Sequence, residues 1–184
     1  MSVATQEFLS LLEAFKRGDS KASARLISLV YEDLHRLARA HGSHQGRTMN
    51  ATSLVHECYL RIMDPTSNSV ESKNHFFNLA SRVMRQVLCD YARERLAEKR
   101  GGGAAHDSLS KIDEELHADA ANLVELDELL TKLSQVQPDA ARVFECRYFA
   151  GLSEQETADA LGLSLRTTQR EWQHARQWLA QQLA

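Results

Sequence analysis

Gly151-Leu-Ser-Glu-Gln-Glu-Thr-Ala-Asp-Ala-Leu-Gly-Leu-Ser-Leu-Arg-Thr-Thr-Gln-Arg-Glu-Trp172 is the stretch whose reading decides the fold. Ser153 is suited to cap a short helix, and Glu156, three residues on, completes a capping box. Ala158 and Leu161 form the apolar face of that helix, and Gly162 supplies the left-handed residue that ends it. Leu163 fills the turn. Ser164 then caps a longer helix whose inward positions are Leu165, Thr168, Trp172, Ala175 and Leu179. This spacing leaves Arg166, Thr167, Gln169, Arg170, Gln173 and His174 outward near the helix start. Two helices joined by a glycine turn, the second presenting Arg, Gln and Thr, read as a helix-turn-helix whose second helix meets base edges in the major groove. A plain helical hairpin with a solvated polar face is the alternative. The coincidence of both caps, the glycine and the outward set favours DNA.

Composition sets the frame around this motif. The chain has 184 residues, enough for one domain or two small ones with modest cores. Two prolines, and leucine, alanine, arginine and glutamate throughout, predict an all-α protein. No run of about 18 apolar residues occurs, so no transmembrane helix is expected. The N-terminus lacks a basic n-region followed by an apolar h-region, and the chain is expected to stay in the cytoplasm. Cys58, Cys89 and Cys146 are odd in number and sit within apolar helical patterns, which reads as reduced core residues.

A formal net charge of −3 looks wrong for a DNA binder until it is resolved along the chain. From Lys73 to Arg100 there are seven Lys/Arg against three Asp/Glu. From Asp107 to Glu128 there are eight acidic residues against Lys111 alone. Phosphates sense local charge, because screening limits the reach of a charge to about 8–10 Å. The acidic middle therefore hides a basic N-terminal half. It also marks a boundary: Gly101-Gly-Gly-Ala-Ala ends a helical block, since three glycines sustain a helix only at a cost. The polar, acidic stretch to about Asn122 is expected to be a flexible linker, with a short helix around Ser110–Leu116 as the alternative.

The N-terminal block divides into four helical segments. Glu7–Arg17 carries Phe8, Leu11, Leu12 and Phe15 and stops at Gly18, with Asp19 or Ser20 capping the next. Ala22–His41 carries Leu26, Leu29, Val30, Leu34, Leu37 and Ala38. Ser53–Met63 carries Leu54, Val55, Cys58, Tyr59 and Ile62, and Pro65 follows it. Asn74–Leu96 carries Phe77, Leu79, Val83, Val87, Leu88 and Tyr91, and shows Arg82, Arg85, Arg93, Arg95, Lys99 and Arg100 on its other face. A basic helix with aromatics at its start suits strand-separated DNA, where rings stack on bases and arginines follow phosphates. Alone it is also compatible with a solvated amphipathic helix.

Taken together, a four-helix unit ending in a basic helix, an acidic linker and a C-terminal helix-turn-helix resembles the extracytoplasmic-function (ECF) sigma factors, which keep only sigma domains 2 and 4. The resemblance covers nearly the whole chain. Its carriers are Leu54-Val-His-Glu-Cys-Tyr-Leu-Arg-Ile62, Phe76-Phe-Asn-Leu-Ala-Ser-Arg-Val-Met-Arg-Gln-Val-Leu-Cys-Asp-Tyr-Ala-Arg93 and the helix-turn-helix. It implies sigma domain 2 over residues 5–100, a linker over 101–122 and sigma domain 4 over 123–184. The Ser53–Met63 helix is similar to the surface that grips the β′ clamp helices of core RNA polymerase, through Asn50, Thr52, Ser53, His56, Glu57 and Arg61. The following basic helix looks like the element that melts and reads the minus-ten region, through Phe76, Phe77, Arg82, Arg85, Arg93 and Arg95. The helix from Ser164 looks like the minus-35 reader, through Arg166, Thr167, Gln169, Arg170, Gln173 and His174. Such a protein catalyses nothing and needs no cofactor; it directs the polymerase to promoter DNA.

The chain departs from this pattern at one informative place. Where these sigma factors usually carry Asp-Ala-Glu-Asp, it has Asn50-Ala51-Thr52-Ser53. A charge-assisted hydrogen bond contributes about 1.5–3 kcal/mol, so losing two weakens core binding by roughly hundreds to tens of thousands of fold. A phosphate on a hydroxyl there restores about −1.5 to −2 of charge at a helix N-terminus, where the dipole favours anions. The resemblance and this gap together imply a switch, with a Ser/Thr protein kinase acting at Thr52, or secondarily Ser53. The simpler alternative is that either residue merely caps the helix.

Other chemistries find little support. His56-Glu57 begins like a zinc-protease helix, but Leu60 stands where the second histidine belongs, and there is no Cys-x-x-Cys. No Gly-rich phosphate loop and no acid–base–nucleophile constellation can be drawn, so an enzyme is not expected. Two rival functions stay open: a helix-turn-helix regulator with an N-terminal helical sensing domain, and a helical adaptor that does not read DNA.

Overall fold

Asp19 starts the first long helix. Its Oδ1 accepts the backbone N–H of Lys21 at 2.9 Å and of Ala22 at 3.1 Å, satisfying two donors that a helix N-terminus leaves over. Helix α1 (Ser20–Gln45) then runs for 26 residues and buries Ala22, Leu26, Val30, Leu34 and Leu37, a stripe at three- and four-residue spacing. The computed structural model describes residues 10–11, 13–14, 17, 19–45, 51–63, 72–101 and 111–183. Most of the segment expected over Glu7–Arg17, with Phe8, Leu12 and Phe15, lies outside the described residues; Leu11 packs against the core.

Helix α2 (Ala51–Met63) buries Leu54, Val55, Cys58 and Ile62. Helix α3 (Lys73–Gly101) opens on a cap in which Ser72 Oγ accepts from the His75 N–H at 3.0 Å, and it ends at the first of the three glycines. Helix α4 (Lys111–Val136), α5 (Pro138–Tyr148), α6 (Glu154–Leu161) and α7 (Leu165–Gln182) complete the chain. Pro138 opens α5 in its first turn, where its missing N–H costs nothing and its fixed φ favours the helix. Every described element is a helix, so the expected all-α class holds.

The stretch expected to be a flexible linker, 101–122, differs from that reading. Gly101 is the last residue of α3, 102–110 lie outside the described residues, and 111–122 are the first turns of α4. The acidic turns carry little periodicity of their own. Once the apolar second half of α4 is packed, extending the helix backward adds a hydrogen bond per residue without a new nucleation cost.

α3 is the element both halves share. It packs on α2 along one side and on α4, α5 and α6 along the other. Its buried residues, Phe76, Leu79, Val83, Met84, Val87, Leu88 and Ala92, belong to one continuous core with Leu123, Leu130 and Leu133 of α4 and Phe144 of α5. The N-terminal and C-terminal blocks are thus packed against each other. Burial pushes the thiols of Cys58, Cys89 and Cys146 up to about 12, so at neutral pH they are uncharged core groups. Among the described residues, no helix is long and apolar enough to cross a membrane.

Leu130 is fully buried where α4 meets this core. Leu130→Ala is expected to lower the unfolding free energy by about 2–5 kcal/mol, read from urea denaturation. Both tryptophans lie in α7, so tryptophan fluorescence and far-UV circular dichroism should report one coincident transition for the shared core.

Candidate nucleic-acid interface

The turn between α6 and α7 is built from local hydrogen bonds, each legible in the residue types. Ser153 Oγ accepts the Glu156 N–H at 3.2 Å, and Glu156 Oε2 accepts the Ser153 N–H at 2.9 Å, closing the capping box. Gly162 lies at φ 67°, ψ 29°, and the Leu163 N–H reaches back to the Ala158 carbonyl at 2.9 Å. That is the Schellman closure, which requires a residue in the left-handed region. Ser164 Oγ accepts the Thr167 N–H at 3.0 Å and starts α7.

Packing then fixes the direction of α7. Thr168, Ala175 and Leu179 are buried and Trp172 is half-buried, as the spacing predicts. Leu165 is the exception. It is the first residue of α7 and is 41% exposed. Phe144 of α5 stacks on Trp172 with centroids 5.3 Å apart, and the Arg147 guanidinium covers that indole at 4.8 Å. Glu154 ties the three helices together: it pairs with Arg147 of α5 at 2.8 Å and accepts from Gln169 of α7 at 2.7 Å. The Gln169 bond and then Arg147 hold its carboxyl below the usual range. Glu154 and Arg147 are positioning residues that the sequence reading missed. Only the first-turn acid at Glu154 hinted at them.

On the outward face of α7, Arg166, Arg170, Gln173 and His174 are exposed. Thr167 is half-buried, its hydroxyl 2.8 Å from Ser164 Oγ, and the Gln169 amide is engaged by Glu154. Arg170 bonds Glu171 at 2.8 Å, and His174 lies 3.7 Å from the same carboxylate. The structure therefore gathers the expected set on one helix face, with Thr167 and Gln169 already holding intramolecular partners.

The set expected on the minus-ten face of α3 is divided. Phe76 is fully buried, which corrects its reading as a base-stacking ring: it is one of the largest core side chains. Phe77 is half-buried beneath Arg36 and Lys73, whose cationic groups stand 5.5 and 5.6 Å from its centroid. Arg82 is exposed and Arg95 half-buried. Arg85 turns inward to α4 and α5. Its Nε donates to Asp127 Oδ1 at 2.7 Å, Nη1 to Glu145 Oε1, and Nη2 to the Asp127 carbonyl at 2.7 Å and Thr131 Oγ1 at 2.9 Å. Arg93 pairs with the second oxygen of Asp127, and with Asp90 at 3.4 Å. Burial works against charge on Asp127, but Arg85 and Arg93 outweigh it and hold its carboxyl below the usual value. In this structure Arg85 and Arg93 are thus committed to carboxylates rather than presented to phosphates.

On α2, Thr52, Ser53 and His56 are exposed, whereas Glu57 and Arg61 are half-buried. The helix begins at Ala51, so Thr52 and Ser53 sit inside its first turn; Asn50 lies outside the described residues. His56 Nδ1 is 3.1 Å from the Tyr31 hydroxyl, and Arg61 pairs with Asp90 at 2.9 Å. Leu60, 51% exposed, shares the face of Thr52 and His56 at four-residue spacing. That spacing was available in the sequence, and it adds an apolar contact point to this face.

A capped helix-turn-helix presenting arginine and glutamine, seated on a helical bundle, defines a DNA-binding transcription protein. The chain belongs to the ECF sigma factor family, whose family model matches residues 5–184. As a member, it is a sigma factor that acts with RNA polymerase in transcription initiation at promoters. No curated protein and no solved structure gives a match.

The left-handed turn is testable by itself. A Cβ at residue 162 meets nothing within 4 Å, so Gly162→Ala isolates the backbone cost. It is expected to destabilise the protein by about 1–2 kcal/mol in thermal or urea unfolding, with Gly162→Asn losing less.

Proposed function

We propose that α1–α3 act as sigma domain 2 and α4–α7 as sigma domain 4, with α7 reading the minus-35 element and α3 the minus-ten region. The observation that carries this reading is the exposed Arg166, Arg170, Gln173 and His174 face of α7, held by two caps and a left-handed glycine in a chain of this family. Such side chains suit bidentate contacts to guanine and adenine edges. On α2, Ser53, His56 and Leu60 with Thr52 supply a mixed polar and apolar face for the β′ clamp helices of core RNA polymerase.

The finer reading concerns Thr52. No acidic residue lies in the first turn of α2, and Thr52 is exposed there. A phosphate at that site meets the positive end of the helix dipole and replaces the missing acidic charge. A Ser/Thr protein kinase thereby switches the protein on by raising its affinity for core polymerase.

Two measurements test these readings. Arg166→Ala and Arg170→Ala should each cost about 1–3 kcal/mol of promoter affinity in the holoenzyme, seen as relaxed specificity in binding to variant minus-35 sequences. For the switch, kinase-treated protein and Thr52→Glu should bind core polymerase at least tenfold more tightly than unmodified protein and Thr52→Ala, about the worth of one charge-assisted bond. Equal affinity of the kinase-treated and unmodified samples discards the switch and leaves the sigma assignment intact.

A further inference from the structure

Arg85 is a poor candidate for a surface that waits for DNA. Its side chain is 11% exposed, and the Asp127 and Glu145 side chains facing it are 16% and 10% exposed. A guanidinium has five N–H donors, and here it serves two carboxylates, a backbone carbonyl and a hydroxyl on α4 and α5. Arg93, about two turns further along α3, reaches the second oxygen of Asp127. These two arginines of α3 are therefore neutralised by acids of the C-terminal block, at the positions where phosphates would neutralise them. On the far side of α3, Arg36 of α1 pairs with Glu156 of α6 at 2.8 Å, so the helix-turn-helix itself is tied to the N-terminal block.

We infer that Asp127 and Glu145 form an internal latch that occupies Arg85 and Arg93 in the free chain and holds the minus-ten helix against the C-terminal block, and that nucleic-acid phosphates compete with these two carboxylates when the chain opens. The inference rests on the reading of α3 as a DNA-contacting helix. A route for the competitor is present. An open polar crevice of about 480 Å³ lies over the ion pairs, lined by Arg82 and Gln86 of α3, Thr131 of α4 and Arg142 of α5 among others. Arg82 and Arg142, the latter paired with Asp139, are exposed at this crevice, and Arg85 is the more deeply set of the three. The latch is selective because buried ion pairs fail unevenly: removing the carboxylates leaves a buried guanidinium without a counter-charge in the closed form, while in the open form water solvates it.

The test uses the full chain and a fluorescent single-stranded DNA of random sequence. Asp127→Asn with Glu145→Gln should bind that DNA about tenfold more tightly than wild type, the gain expected when nine molecules in ten are closed. The salt dependence of log K should steepen by about 1.4, for two added phosphate contacts at about 0.7 each on a single strand. Glu32→Gln on α1 with Glu125→Gln on α4 makes the same change in charge at exposed positions that do not line the crevice. If this control pair gains as much as the latch pair, the gain is generic charge and the latch is overturned.

Should the latch variant fail to fold, a second measurement decides. The native cysteines are buried, so Ser28→Cys on α1 and Gln177→Cys on α7 take donor and acceptor dyes at exposed positions. Energy transfer should fall when core RNA polymerase binds and the two blocks part. Polymerase binding with unchanged transfer overturns the latch alone. Absence of polymerase binding by kinase-treated wild-type protein overturns the proposed roles of α2 and α3, and the latch falls with them.

Discussion

One buried cation organises the meeting of the two halves. Arg85 projects from the middle of α3 into a region where water has little access, and a guanidinium cannot shed its charge to suit such a place. Its neighbours must therefore supply acceptors in a fixed geometry. Asp127 and Thr131 stand one turn apart on α4, and Glu145 faces them from α5. These requirements set the rotation of α4 about its axis and the height of α5 against α3. The apolar contacts of Leu123, Leu130 and Leu133 supply adhesion without that specificity, since dispersion and burial are largely indifferent to small rotations.

The helix-turn-helix depends on this arrangement at one remove. α5 is docked on α3, and its outer side carries Phe144 and Arg147, which hold Trp172 of α7. Glu154 then bridges α5 to α7 through Arg147 and Gln169. Stacked rings and a shared carboxylate thereby restrain α7 on its inner side, the kind of support that a precisely placed polar face requires. The outer side is left to Arg166, Arg170, Gln173 and His174. Packing and the exposed polar face are thus separated onto two sides of one helix.

The same economy shapes α2. Its inner stripe of Leu54, Val55, Cys58 and Ile62 is buried, and its outer stripe of Thr52, His56 and Leu60 remains exposed. In a family whose members work on RNA polymerase, an exposed stripe with neutral residues in its first turn leaves a partner without charge to grip.

Local signals were legible in the sequence and tertiary ones were not. Both serine caps, the capping box and the left-handed glycine act over three to five residues, so the residue types alone determined them. The buried stripes of α1, α2 and α3 followed from helical periodicity for the same reason. The helicity of 111–122 was legible only as an alternative, a short helix around Ser110–Leu116, because acidic turns have little pattern of their own and extend a helix that is nucleated further on. Phe76 and Phe77 look alike at the start of a basic helix; only the position of the surrounding helices decided that one is core and the other lies under Arg36 and Lys73. Arg85 makes the limit plainest. Its carboxylate partners lie 42 and 60 residues away, and nothing local distinguishes it from Arg82, which remains exposed. The sequence by itself determined the helices, their caps and the polar face of α7, because those rest on short-range hydrogen bonds and periodicity. Which arginines face solvent, and which are held by acids across the chain, the tertiary structure alone decided, because charge pairing depends on where distant helices come to rest.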